Sequence, residues 1–147
     1  MNSNAYREII NSPYCNTKNG HISLSENRSN IIIFNKERLN LYEIKIDDGY
    51  INNRLEKKCD YLVIREHDKK EIYIELKGSD VKRAMEQIYN TVELLNLNPL
   101  DNKKAFIIAT RVPKIDSSTQ IQMKKFKKNR IDLDIKSTPH EVDITII

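Results

Sequence analysis

Two acids and an amine carry the chemistry this sequence offers. In EIYIELKGSD (residues 71–80) apolar residues alternate along a strand pattern, Glu75 and Lys77 lie two positions apart near its end, and Gly78 stops it. Residues two apart on a strand share a face, so both side chains project to one side of the sheet. An acid followed two positions later by lysine is a poor signal alone, since such triplets also begin at Glu43, Glu56, Asp68, Asp80, Asp101 and Asp134. Position separates them. Only Glu75 lies near the end of an inner-looking strand that has a matching acid on a hairpin partner and a helix starting directly afterwards.

That partner is read from CDYLVIREHDKKEIYIELK (residues 59–77), two β-rich runs flanking the charged turn 66–70. A turn centred between His67 and Asp68 opposes Asp60 to Glu75, Leu62 to Tyr73 and Ile64 to Glu71, and opposed residues point to the same face. A slip of one residue would send Asp60 to the other face. Two carboxylates opposed with Cβ atoms about 4.5–5.5 Å apart repel unless a cation sits between them. A divalent ion resolves this: Mg2+ takes one or two carboxylates, keeps several waters and accepts phosphate oxygens as further ligands. Lys77, one pleat along, then supplies a point charge for a developing phosphate dianion or orients the attacking water. The ordinary alternative is a surface ion-pair cluster of little consequence. Register, strand position, Gly78 and the following helix together favour the site.

Cys59-Asp60, then Glu75-Leu76-Lys77 on the second strand of a hairpin followed by a helix, resembles the PD-(D/E)XK nuclease superfamily, with Cys59 standing where the family name has Pro. The resemblance spans roughly residues 41–110. It implies a restriction-endonuclease-like core and a metal-dependent phosphodiesterase in which Asp60 and Glu75 bind Mg2+ or Mn2+, the Leu76 carbonyl adds a ligand, and Lys77 assists the attacking water. Members often add an upstream acid, for which Glu8, Glu26, Glu43 and Asp48 are available; Asp48, just before Gly49, is favoured. Gln87, two turns into the helix, is the candidate for an accessory polar residue, with a solvated Gln as the alternative.

The elements that must position these groups follow from periodicity. Residues 1–29 read as a short helix and then loop. Residues 31–34 and 41–47 read as a hairpin, with Tyr42, Ile44 and Ile46 on one face. From Ser79, the expected N-cap, Val81, Ala84, Met85, Ile88, Val92 and Leu95 fall on one helical face, and Pro99 follows the helix. AFIIAT (105–110) reads as a strand covered on both faces, completing a βαβ crossover. A helix over 117–130 and short strands over 133–136 and 143–147 complete an α/β domain: a mixed central sheet with flanking helices. One domain is expected over 1–147, as an N-terminal segment (1–29), a core (30–110) and a C-terminal helix with strands (111–147).

Composition sets the class. The 147 residues are 31% charged and 39% hydrophobic, ordinary for a soluble globular protein, and 25 Lys and Arg against 21 Asp and Glu leave a net charge of +4, which suits an anionic partner without requiring one. Lys124, Lys125, Lys127, Lys128 and Arg130 interleave with Met123 and Phe126 and form a candidate phosphate-binding patch, a solvated basic face being the alternative. Cys15, His21, Cys59 and His67 lack zinc-ligand spacing, and two cysteines make no disulfide framework, so a reducing, cytoplasmic setting is expected. No run of roughly eighteen uncharged apolar residues occurs, so no membrane partner is expected. The expected function is metal-dependent hydrolysis of DNA phosphodiester bonds, of structure-selective resolvase, repair or defence type, by a homodimer or with a partner subunit. The alternative is a catalytically degenerate nuclease-like domain that binds nucleic acid or a protein.

Overall fold

A computed structural model describes residues 3–98 and 103–147. Pro99, expected to follow the central helix, lies outside them. Chain order is α1 (Ser3–Ile10), β1 (Cys15–Lys18), β2 (Ile22–Glu26), β3 (Ser29–Phe34), β4 (Leu41–Lys45), β5 (Tyr61–Arg65), β6 (Lys70–Lys77), α2 (Val81–Leu95), β7 (Lys103–Ala109), α3 (Ser117–Lys128), β8 (Ile131–Ser137), β9 (His140–Asp143) and a 3-10 turn at Ile144–Ile146. The α/β class with a mixed sheet is as expected. A six-stranded sheet runs β1-β4-β5-β6-β7-β8, and a three-stranded sheet runs β2-β3-β9. In the large sheet the pairs up to β6 are antiparallel, whereas β6-β7 and β7-β8 are parallel. β6, α2 and β7 thus form the expected crossover.

The strand patterns explain the layering. β6 alternates Tyr73 toward a core shared with Ala84, Met85 and Ile88 of α2 and Phe126 of α3, and Ile72, Ile74 and Leu76 toward a second core shared with Ile22, Leu24, Ile31 and Ile33 of the small sheet. A strand covered on both faces needs a nearly continuous apolar run, which β7 supplies by burying every residue. Each fully buried Ile or Leu contributes roughly 1.5–3 kcal/mol, so these two cores hold the β6 backbone firmly.

Several local expectations need correction. The pair read as a hairpin over 31–47 is not one: β3 pairs with β2 and β9, while β4 pairs with β1 and β5. Both strands show apolar alternation because Ile31, Ile33 and Leu41 line the same core from different sheets. The segment between them passes from one sheet to the other, fixed by buried Asn35, whose amide donates to the Leu39 carbonyl (2.9 Å) and whose Oδ1 accepts from the Leu39 N–H (2.9 Å). Residues 11–29 are not mainly loop, since they carry β1 and β2. At the start of α2 the cap is Asp80 rather than Ser79: its carboxylate accepts from the Arg83 N–H at 3.1 Å. At the C-terminus the strand ends at Asp143, whose side chain accepts from the Thr145 N–H and turns the last residues into a 3-10 turn.

Candidate active site

The β5–β6 ladder has the expected register, with Leu62 opposite Tyr73 and Ile64 opposite Glu71, and its last pair is Tyr61 with Ile74. Asp60 therefore stands one residue beyond the ladder. Its side chain replaces the missing strand bond, with Oδ2 accepting from the Leu76 N–H at 2.8 Å. The turn after β4 pins its backbone, because the Asp60 carbonyl accepts from the N–H groups of Ile46 (2.9 Å) and Asp47 (3.4 Å). Gly49 is required in that turn: a Cβ there would lie 2.4 Å from the Lys45 carbonyl oxygen. From the other side α2 holds the approach to β5, since Thr91 Oγ1 accepts from the Cys59 N–H (2.8 Å) and Gln87 Nε2 donates to the Lys58 carbonyl (3.2 Å).

Asp60, Glu75 and Lys77 converge. Asp60 is 4% and Glu75 1% exposed. The Lys77 ammonium lies 3.0 Å from Glu75 Oε2, while Glu75 Oε1 is enclosed without a hydrogen-bond partner. Burial pushes Asp60 up to about 8, with the neighbouring Glu75 charge adding to it and the Leu76 N–H opposing it. Burial also pushes Glu75 up to about 7, against the pull of the Lys77 charge. Burial thus favours the protonated form of both acids, and the ionisation of Asp60 depends on that of Glu75.

A further acid reaches this dyad. Glu26, at the end of β2, raises Asp60 further by its charge and hydrogen bonding, and its Oε1 lies 3.1 Å from the Lys45 ammonium. Of the four upstream acids, Glu26 is the one whose carboxylate acts on Asp60 in this way. Asp48 is exposed, at φ 58° in the turn after β4; Glu43 lies 3.9 Å from Lys18, and Glu8 acts on Tyr50. The β2–β3 turn also grips β6: Asn27 Nδ2 donates to the Leu76 carbonyl (3.1 Å), and Ser29 Oγ donates to the Lys77 carbonyl (2.7 Å). The Leu76 carbonyl, expected as a ligand, thus has one acceptor direction engaged. Sequence reasoning passed over Asn27 and Ser29. The available signal was ISLSE-NR-SNIII, two alternating runs around a two-residue polar turn in which Asn27 and Arg28 both adopt positive φ.

Among the described residues no group of three or more His, Cys, Asp and Glu side chains stands arranged to hold a metal ion, and this includes the Cys and His residues considered for zinc. Burial drives the Cys59 thiol far above its ordinary range, so it is inert. The dyad nevertheless suits a divalent cation. It presents two buried acids, with the Asp60 charge disfavoured both by burial and by Glu75, and an enclosed carboxylate oxygen with no donor, which a cation would satisfy.

The basic residues of the C-terminal helix do not join Asp60, Glu75 and Lys77, although Lys125 shares a recess with Leu55, Glu56 and Lys57. Lys124, Lys125, Lys127, Lys128 and Arg130 are exposed, and Lys125 stacks its ammonium 3.9 Å from the Tyr89 ring centre. Asn129 and Ile131 share a recess with Lys103, which opposes Glu71 on β6. Glu71 precedes Glu75 by about 13 Å of strand at about 3.3 Å per residue, so the end of α3 points to the far end of the sheet. Among the described residues no helix is long and apolar enough to cross a membrane.

No protein-family model, curated protein or solved structure matches this chain.

Proposed function

We propose that this protein is a metal-dependent nuclease that hydrolyses DNA phosphodiester bonds. The observation that carries the reading is the burial of Asp60 and Glu75 together at the end of the β5–β6 hairpin, with the Lys77 ammonium 3.0 Å from Glu75. The antiparallel β4-β5-β6 strands, the α2 crossover and parallel β7 support a restriction-endonuclease-like core, and Asp60 with Glu75-Leu76-Lys77 supports membership of the PD-(D/E)XK superfamily.

Asp60 and Glu75 would hold the cation, with Glu26 close enough to Asp60 to add negative potential. Bound Mg2+ or Mn2+ supplies Lewis-acid polarisation of a phosphoryl oxygen and lowers the pKa of a water. Both acids must shed their protons to serve, so cation affinity rises as pH passes through about 7–8. Lys77 supplies positive charge beside the reacting phosphoryl group and orients the attacking water, and Glu75 fixes that ammonium. The Asn27 and Ser29 bonds to the Leu76 and Lys77 carbonyls hold the strand that carries both groups. A homodimer would place two such sites on two strands.

The test is incubation with plasmid, linear and branched DNA, and RNA, in Mg2+ or Mn2+, comparing wild type with Asp60→Ala and Lys77→Ala. Loss of cutting by about 100-fold or more in both variants supports the site. Equal cutting by all three proteins overturns it. Binding of nucleic acid by wild type with no cutting under any divalent ion indicates the degenerate, non-enzymatic alternative.

A further inference from the structure

A recess of about 410 Å3 is lined by Asp47, Arg54, Glu56, Lys57, Lys58 and Arg83, four cations against two acids, together with Leu55 and Gln87. Its walls are the 53–58 segment and the first turns of α2. Lys58 is nine-tenths buried, its ammonium held by the Asn53 carbonyl and 3.9 Å from Asp47. Lys57 is committed to Glu86 at 2.7 Å. Arg54 and Arg83 differ: both are exposed, and neither guanidinium forms an ion pair among the described residues. Two open guanidiniums over a buried ammonium make an anion receptor, since a planar fork binds phosphate oxygens two at a time.

The lining of the recess is tied to the segment that carries Asp60. Lys58 precedes Asp60 by two residues, the Asp47 N–H donates to the Asp60 carbonyl, and Gln87 ties α2 to the Lys58 carbonyl. We propose that this recess receives an unpaired strand of nucleic acid, its phosphates on Arg54 and Arg83, and passes it toward Asp60. The inference rests on the nuclease reading only for where the strand leads.

Size selects a single strand over a duplex. A cavity of about 410 Å3 is within the range that encloses one small ligand, so it has room for a single splayed nucleotide and not for a stacked base pair with both its backbones. Leu55, 93% exposed between Arg54 and Glu56, adds an apolar side chain to the rim. An unstacked base has an apolar face to cover, while a paired base does not. The exposed Lys124 and Lys127 of α3 line a separate recess with Phe126 and Leu133, which bears no arginine, and serve as the control.

The experiment uses the full chain in EDTA, so that no hydrolysis is needed, and follows the fluorescence anisotropy of a labelled fifteen-residue oligothymidylate and of a blunt duplex of about that length. Wild type is compared with Arg54→Ala/Arg83→Ala and with Lys124→Ala/Lys127→Ala/Lys128→Ala, over a salt series. The expected result is tighter binding of the single strand than of the duplex. The arginine variant should lose about tenfold or more in single-strand affinity, with a salt slope shallower by roughly 1.4, about 0.7 for each phosphate released. The α3 variant should change little. Both arginines are surface residues, and unchanged circular dichroism confirms that the variant folds. The proposal is overturned by unchanged affinity and slope in the arginine variant, by loss confined to the α3 variant, by equal or better duplex binding, or by no single-strand binding by wild type. A protein that binds this way but never cuts retains the inference and loses only the nuclease reading.

Discussion

Replacing Asp60 by asparagine should make the metal-free protein more stable at alkaline pH while removing its response to divalent ions. The asparagine amide keeps an oxygen for the Leu76 N–H and removes a charge from a 4% exposed position beside Glu75. The sign follows from the raised ionisation. Below about pH 4 the folded and unfolded chains both hold the proton, so there is no penalty. As pH rises toward 8, the unfolded chain releases it at the ordinary carboxylate value of 3.8 while the fold retains it up to about 8, so stability is lost across that window. Each tenfold displacement of ionisation is worth about 1.4 kcal/mol. With relaxation and water penetration removing part of the penalty, the wild type carries about 2–4 kcal/mol of it at pH 8. For a chain of this length that corresponds to a melting difference on the order of 5–10 °C. Thermal unfolding followed by circular dichroism in EDTA, from pH 5 to pH 8.5, measures it. The gap between variant and wild type should be small at pH 5 and grow with pH, and Mg2+ at pH 8 should raise the wild-type midpoint alone. A variant less stable than wild type at every pH, or a gap that does not grow, would refute the reasoning.

Three further outcomes are expected. Lys77→Met should lower cleavage by about 100-fold or more and keep the Mg2+-dependent rise in melting temperature, since both acids remain; its activity profile should shift to higher pH because Glu75 loses its cation. Glu26→Gln should raise metal-free stability at pH 8 and shrink the Mg2+-induced rise, both read from the same melts, because a negative neighbour of Asp60 is gone. Tyr73→Phe removes the 2.6 Å bond from its hydroxyl to buried Glu71, and urea unfolding should show a loss of about 1–3 kcal/mol with the pH behaviour of the dyad unchanged.

The core hairpin and crossover were legible because each element carried a strong local signal: alternation across 59–77, a helical face from Val81 to Leu95, and the apolar run of β7. The register followed from the turn and put Asp60 beside Glu75 correctly, although Asp60 itself lies past the ladder and bonds through its side chain. What sequence could not show was the stacking of two sheets. Ile31, Ile33 and Leu41 have the same periodicity whether their strands pair or pack face to face, so β3 and β4 read as a hairpin although they belong to different sheets. The preference for Asp48 among the upstream acids overlooks Glu26 for the same reason. Glu26 reaches Asp60 only because the β2–β3 turn docks onto the Leu76 and Lys77 carbonyls, a long-range contact with no local signature. The basic run of α3 was visible as composition, but its direction depended on how the helix returns to β8.

The proposed function requires that a divalent cation bind Asp60 and Glu75 and displace the proton that burial holds on Asp60. Titration calorimetry of Mn2+ into the protein at pH 7.5, in two buffers of different ionisation enthalpy, tests it most directly. Wild type should bind Mn2+ with release of protons to the buffer, and Asp60→Asn should lose that binding. Binding of equal strength in the variant, or none in the wild type, would contradict the account.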